Sequence, residues 1–216
     1  MALSLNYRIR EPKNTTEKSP LLLLLHGYGS NADDLFSFAN ELPNDCFVIS
    51  AQAPYDIQFG SYAWYAINFD ANENKFSDLP QARLSRNLIA KFIDELLIKY
   101  PIDSKNVTLI GFSQGTILSY AVALSYPEKV QKVVALSGYL NLEIVKEDYL
   151  KNSFSNLKMF ISHGTQDQVI PVDWAKKAPS TLNNLGIETV YREYQMGHGI
   201  NMQNFADLKN WLSSKM

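Results

Sequence analysis

Six short runs rich in apolar residues, each followed by a turn, constrain this chain more than any other feature. They are "LLLLL" (21–25), "CFVIS" (46–50), "VTLI" (107–110), "KVVALS" (132–137), "KMFISHG" (158–164) and "IETVYREY" (187–194). Several are continuously apolar rather than alternating, the mark of strands covered on both faces. Helical patterns lie between and after them: at 32–40, from Leu79 to Tyr100, after Ser113 to about Tyr126, from Val172, and in the closing "NFADLKNWLSS". In the second of these, Leu84, Leu88, Phe92 and Leu96 form an i,i+4 row beside Ile89, Ile93 and Leu97, and Pro101 ends it. Strand and helix in alternation predict an α/β fold with a twisted, mostly parallel sheet and helices on both faces. The polar stretch "EPKNTTEKSP" (11–20) joins a first strand to the next rather than separating two domains, so the 216 residues are expected to form a single domain.

Charge and composition narrow the function by exclusion. Twenty basic and 22 acidic residues leave a formal charge of −2, with no basic field to attract nucleic acid. The run of five leucines is far short of the roughly 20 apolar residues of a membrane helix, so stable membrane insertion is not expected. The opening "MALSLNYRIREP" lacks the apolar core of a secretory signal, which makes a cytoplasmic location the expectation. Cys46 is the sole cysteine, so no intrachain disulfide can form and a Cys-rich zinc site is excluded. At the head of an apolar run it is expected to be a buried structural thiol.

In a parallel sheet, chemistry sits in the crevice at the carboxyl ends of the strands. Four predicted strand ends carry polar groups: "HGYGSN", "GFSQG", "HGTQDQVIP" and "QMGHGIN". The three histidines, His26, His163 and His198, all fall within them. "GFSQG" leaves a strand and enters a helix, the setting in which Gly-x-Ser-x-Gly raises its serine, here Ser113, as a nucleophile. A serine hydroxyl needs an imidazole to take its proton, and the imidazole needs a carboxylate to hold its tautomer. The expected chain order is serine, acid, histidine. His198, last in the chain and flanked by glycines, is the predicted base. Asp167, in the loop after "KMFIS", is the predicted acid, because Asp148, Asp173 and Asp207 lie in polar or helical surroundings. The oxyanion donors are expected to be the backbone N–H groups of Gln114, at the helix start, and Tyr28, in "HGYG". His26 and His163 each precede a glycine, where an imidazole can brace a turn through loop carbonyls, and no metal site or cofactor is expected.

The segments "LLLLHGYGSN", "GFSQGT", "HGTQDQVIPV" and "MGHGI" together resemble the phospholipase/carboxylesterase family of α/β-hydrolases, which includes acyl-protein thioesterases and small bacterial carboxylesterases. The resemblance spans about residues 20–212. It implies the α/β-hydrolase fold, Ser113, Asp167 and His198 as a triad, and Tyr28 with Gln114 as the oxyanion hole. It further implies hydrolysis of small to medium acyl esters through an acyl-enzyme, with lysophospholipase or protein thioesterase activity as the alternative within enzymes. A non-catalytic binding protein on the same fold is the alternative outside them. "HGYGSNADD" and "SYAWYAINFD" depart from the thioesterase branch, whose counterparts resemble "HGLGD" and Trp-Phe-Asp, and they favour a bacterial-type esterase. In the family the region of Trp64 helps line the entrance to the acyl pocket, which makes Trp64, Tyr65 and Ile67 substrate contacts. Read from the residues alone, they remain equally well ordinary core. The stretch from Ser137 to Lys158 is too short for a separate cap, so a minimal lid or none is expected. Nothing in the sequence locates a subunit interface.

Overall fold

A run of five leucines can be buried completely only if both faces of its strand are covered. Leu21 to Leu25 are each no more than 1% exposed. The computed structural model describes residues 3–14, 17–69 and 75–215. Its strands are β1 (Tyr7–Arg10), β2 (Ser19–Leu25), β3 (Phe47–Ala51), the short pairs β4 (Tyr55–Asp56) with β5 (Tyr62–Ala63) and β6 (Ile67–Phe69) with β7 (Lys75–Ser77), then β8 (Ile102–Phe112), β9 (Lys132–Leu136), β10 (Lys158–Gly164) and β11 (Glu188–Tyr194). Seven of them form one sheet in the order β1-β3-β2-β8-β9-β10-β11. β1 runs antiparallel to β3, and every other pair is parallel.

The helices are α1 (Ala32–Phe36), α2 (Leu79–Lys99), α3 (Gln114–Ser125), α4 (Val172–Ala175), α5 (Lys177–Asn184) and α6 (Met202–Lys215). Alternate leucines of β2 point to opposite layers. Leu21, Leu23 and Leu25 join Ile89, Phe92 and Ile93 of α2, Tyr120 of α3 and Leu182 of α5. Leu22 and Leu24 join Leu35 of α1 and Leu208, Trp211 and Leu212 of α6. This is the two-sided α/β architecture expected, and among the described residues no helix is long and apolar enough to cross a membrane.

Three details differ from expectation. The first helix stops at Phe36 and continues as a 3-10 turn at Ala39–Glu41. In α2 the buried stripe runs through Ala82, Ser85, Ile89, Phe92, Ile93 and Leu96, while Leu84 is 62% exposed. An i,i+4 row drifts around the helix because 3.6 residues make a turn, so its far end rotates into solvent. The two short hairpins between β3 and α2 were not foreseen. The strand before the polar stretch, β1, pairs with β3 in the same sheet, and residues 15 and 16 of that stretch lie outside the described residues. From Gly138 to Leu157 the chain makes only two 3-10 turns, Leu142–Ile144 and Tyr149–Lys151, and carries no cap. The contiguous parallel strands β2, β8, β9, β10 and β11 end on one side of the sheet. The candidate residues follow those ends.

Candidate active site

β8 gives way to α3 through a single residue, Ser113, which adopts φ 53 and ψ −115. That backbone is outside the regions an L-residue prefers and costs about 1–3 kcal/mol. The surroundings enforce it. The Ser113 N–H donates to the Leu136 carbonyl at 2.9 Å. Thr116 Oγ1 donates toward the carbonyls of Gly111 and Leu136, each at 2.7 Å. Gly115 is required by close approach, since a Cβ there would overlap the Leu25 carbonyl. The start of α3 is thus pressed against the end of β2, and Ser113 stands at the apex.

His198 lies in the loop between β11 and α6 and reaches both of its partners. Its Nδ1–H donates to Asp167 Oδ2 at 2.7 Å, and its Nε2 faces the Ser113 hydroxyl at 3.0 Å. With a carboxylate at Nδ1, the hydrogen sits there, and Nε2 is left to accept from Ser113. The Asp167 side chain is fully buried. Its Oδ1 accepts the N–H groups of Val169 at 2.8 Å and Ile170 at 2.9 Å, closing a turn. The acid loop and the histidine loop are joined directly. Gln166 N–H donates to the Met196 carbonyl, Thr165 N–H donates to the Tyr194 carbonyl, and a Cβ on Gly164 would overlap the Gly197 carbonyl. Ser137, at φ 49, donates its hydroxyl to the Gly199 carbonyl at 3.1 Å, and the Phe112 ring lies 5.0 Å from that of His198.

The loop after β2 closes the other side. A methyl group added to Gly27 would touch Ser113 Cβ at 3.4 Å. The Gly29 N–H donates to the Tyr62 carbonyl, whereas the Tyr28 N–H has no acceptor among the described residues. The Gln114 N–H is one of the first donors of α3, which have no partner inside a helix. His26 is buried beneath this loop. Its Nδ1–H donates to the Gly27 carbonyl at 2.8 Å, and its Nε2 accepts the Ala53 N–H at 3.1 Å. Burial, the largest influence, lowers its pKa from the ordinary 6.5.

Sequence reasoning missed the side chain of Gln114. It accepts from the Trp64 N–H and donates to the Tyr65 carbonyl, both at 2.8 Å, and so pins the segment between β5 and β6 to α3. Trp64 Nε1–H in turn donates to the His26 carbonyl at 2.9 Å. Trp64 and Tyr65 are 0% and 2% exposed, so their side chains offer no surface to a substrate, and Ile67 alone of the three is half-buried. Their burial follows from these hydrogen bonds and from packing against the sheet. Of the segments that follow these strand ends, Tyr28 is 45% exposed, Val169 59% and Trp174 48%, the last edge-on to Tyr139 with ring centres 5.2 Å apart. Among the described residues no group of three His, Cys, Asp or Glu side chains could hold a metal. Cys46 is buried, and burial pushes its thiol up to about 12.

A parallel sheet with a serine at the strand-to-helix turn, and histidine and acid following at later strand ends, defines an α/β-hydrolase. Solved structures agree on the fold: the carboxylesterase of Bacillus cereus superposes with a TM-score of 0.84 over 98% of this chain and 95% of that one, at 20% identity. The family model described as Phospholipase/Carboxylesterase matches residues 6–216, and the chain belongs to that family of hydrolases. Acyl-protein thioesterase 1 of Candida albicans is 27% identical over 95% of this chain and 96% of its own length. That of Kluyveromyces lactis is 31% identical over 71% of this chain and 69% of its own.

Proposed function

We propose that this hydrolase cleaves carboxylic esters of small to medium acyl groups through an acyl-enzyme formed on Ser113. The observation that carries the reading is the unbroken line from Ser113 Oγ through the His198 ring to Asp167. His198 Nε2 takes the hydroxyl proton as Ser113 Oγ bonds to the acyl carbon. The N–H groups of Tyr28 and Gln114 receive the oxyanion. As the carbon–oxygen bond to the alcohol breaks, His198 returns the proton to the leaving oxygen. Water then attacks the acyl-serine, losing its proton to His198; as the bond from the acyl carbon to Ser113 Oγ breaks, His198 returns that proton to Oγ, which releases the acid and restores the free enzyme. Asp167 holds the imidazole and stabilises its cation without itself taking a proton. Val169 and Trp174, exposed on the loop and helix that follow Asp167, and a segment 138–157 that carries no cap suit an acyl chain lying on an open surface. One unit built on the seven-stranded sheet is sufficient for all of this, at a location we take to be cytoplasmic.

A second reading, hydrolysis of thioesters, is favoured by the names of the two relatives given above, both acyl-protein thioesterases. The chemistry at Ser113 is the same, with a thiolate leaving. Hydrolysis of p-nitrophenyl esters from acetate to palmitate, beside the matching acyl thioesters, separates the two. We expect turnover greatest on short to medium esters and abolished in Ser113→Ala, with the variant's circular dichroism unchanged. Turnover that survives in Ser113→Ala would remove the nucleophile assignment, and turnover confined to thioesters would establish the second reading.

A further inference from the structure

His163 has no part in the chemistry just described, yet it is buried directly behind it. It is the penultimate residue of β10, and its side chain is 0% exposed. Nε2 lies 2.8 Å from the Ile170 carbonyl oxygen and 3.2 Å from Asp167 Oδ2. Both neighbours are acceptors, so the hydrogen of the ring is on Nε2, donated to Ile170 with its polar edge turned to the carboxylate. Nδ1 is buried and has no partner among the described residues, so the ring is anchored at Nε2 alone.

Ile170 is itself one of the two residues whose N–H groups hold Asp167 Oδ1. The peptide carbonyl of Ile170 is therefore tied to β10 through His163, while its N–H is tied to Asp167. Fixing Oδ1 in this turn leaves Oδ2 as the oxygen directed at His198 Nδ1, at 2.7 Å. A buried carbonyl with its partner removed must find another donor or move, and here moving it also moves the N–H that aims the acid. We infer that His163 is a positioning residue: by clamping Ile170 it sets the direction of Asp167, and through Asp167 the ring of His198. This rests on the assignment of Ser113, Asp167 and His198 proposed above.

The ring and the donor can be separated by two substitutions. His163→Phe keeps a flat ring of similar size without a donor, and His163→Gln supplies an amide N–H near the place of Nε2 without a ring. The expected result for His163→Phe is a fall in kcat of about 10- to 100-fold, by analogy with the partners that orient metal-binding histidines, with KM changed less than about twofold. The downfield proton resonance of the His198 Nδ1–H should move or broaden in the same variant. His163→Gln should restore both kcat and the resonance. Full kcat in His163→Phe, or equal losses in the two variants, would overturn the inference, the second outcome reducing His163 to packing. Should His163→Phe fail to fold, His163→Asn takes its place, its shorter amide stopping short of Ile170. The same p-nitrophenyl butyrate assay run on Ser113→Ala isolates the assumption beneath. If esters are not cleaved, or are cleaved without Ser113, the functional reading fails, while the His198 resonance still decides whether His163 orients the pair.

Discussion

Asp167 is gripped at both oxygens: Oδ1 by two backbone N–H groups, Oδ2 by His198. Replacing it with asparagine keeps the size but exchanges an oxygen for a donor. The His198 ring then adopts the tautomer with hydrogen on Nε2, which cannot accept from Ser113. Asp167→Asn should accordingly lower kcat by about 10⁴, read as initial rates at saturating ester, with KM little changed. A loss of only a few-fold would show that some other acid serves His198. At this scale the sequence was most legible. Ser113, Asp167 and His198 each occupy a turn at a strand end, and their residue types leave few chemical alternatives. The part of Gln114 that was legible was its backbone. Its side chain meets partners 49 and 50 positions earlier, Tyr65 and Trp64, and no local pattern announces such a contact.

Elements bring those residues into register, and α3 does most of it. Ser113 caps its start, and its first turn presses Gly115 on the end of β2 and ties the Trp64–Tyr65 segment through Gln114. Gln114→Leu would keep the bulk and leave a buried N–H and a buried carbonyl without partners. A cost of about 1–3 kcal/mol for each orphaned group is expected, measurable as a lower urea midpoint with an unchanged slope. Because the oxyanion donor proposed at this position is main chain, kcat should fall by less than the 10²–10³ that losing such a donor costs. The long elements were legible because a 21-residue helix and fully apolar strands carry strong periodic or compositional signals. The hairpins β4–β5 and β6–β7 were not. Their strands of two or three residues are too short for alternation to show, and they are held by contacts such as Tyr62 with Ser30 rather than by their own pattern. Trp64 and Tyr65 lie in the core through equally distant contacts, with Gln114 and His26.

For the molecule as a whole, the buried histidine under the first loop couples stability to pH. His26 has its pKa lowered by burial, and its Nε2 is occupied by the Ala53 N–H. Between its folded value and the ordinary 6.5, the unfolded chain binds a proton that the folded chain does not. Stability therefore rises with pH across that window: the contribution is complete above 6.5 and is lost as pH falls toward the folded value. Urea unfolding followed from pH 7.5 to pH 5 should show this decline, and His26→Asn, less stable at every pH, should show a flatter one. The alternation of strands and helices made a parallel sheet legible, but not the order in which its strands lie side by side, because strand pairing is decided by which faces meet in space. That order has a temporal consequence. Ser113 and His198 are 85 positions apart and meet only across the completed edge from β8 through β9 and β10 to β11. Such distant pairings are slow to form, and under the proposed mechanism a half-folded chain, with Ser113 apart from His198, is expected to be chemically silent. Returning turnover on refolding is therefore expected to lag behind the return of far-ultraviolet circular dichroism, and so to time the joining of these distant strands rather than the formation of the helices.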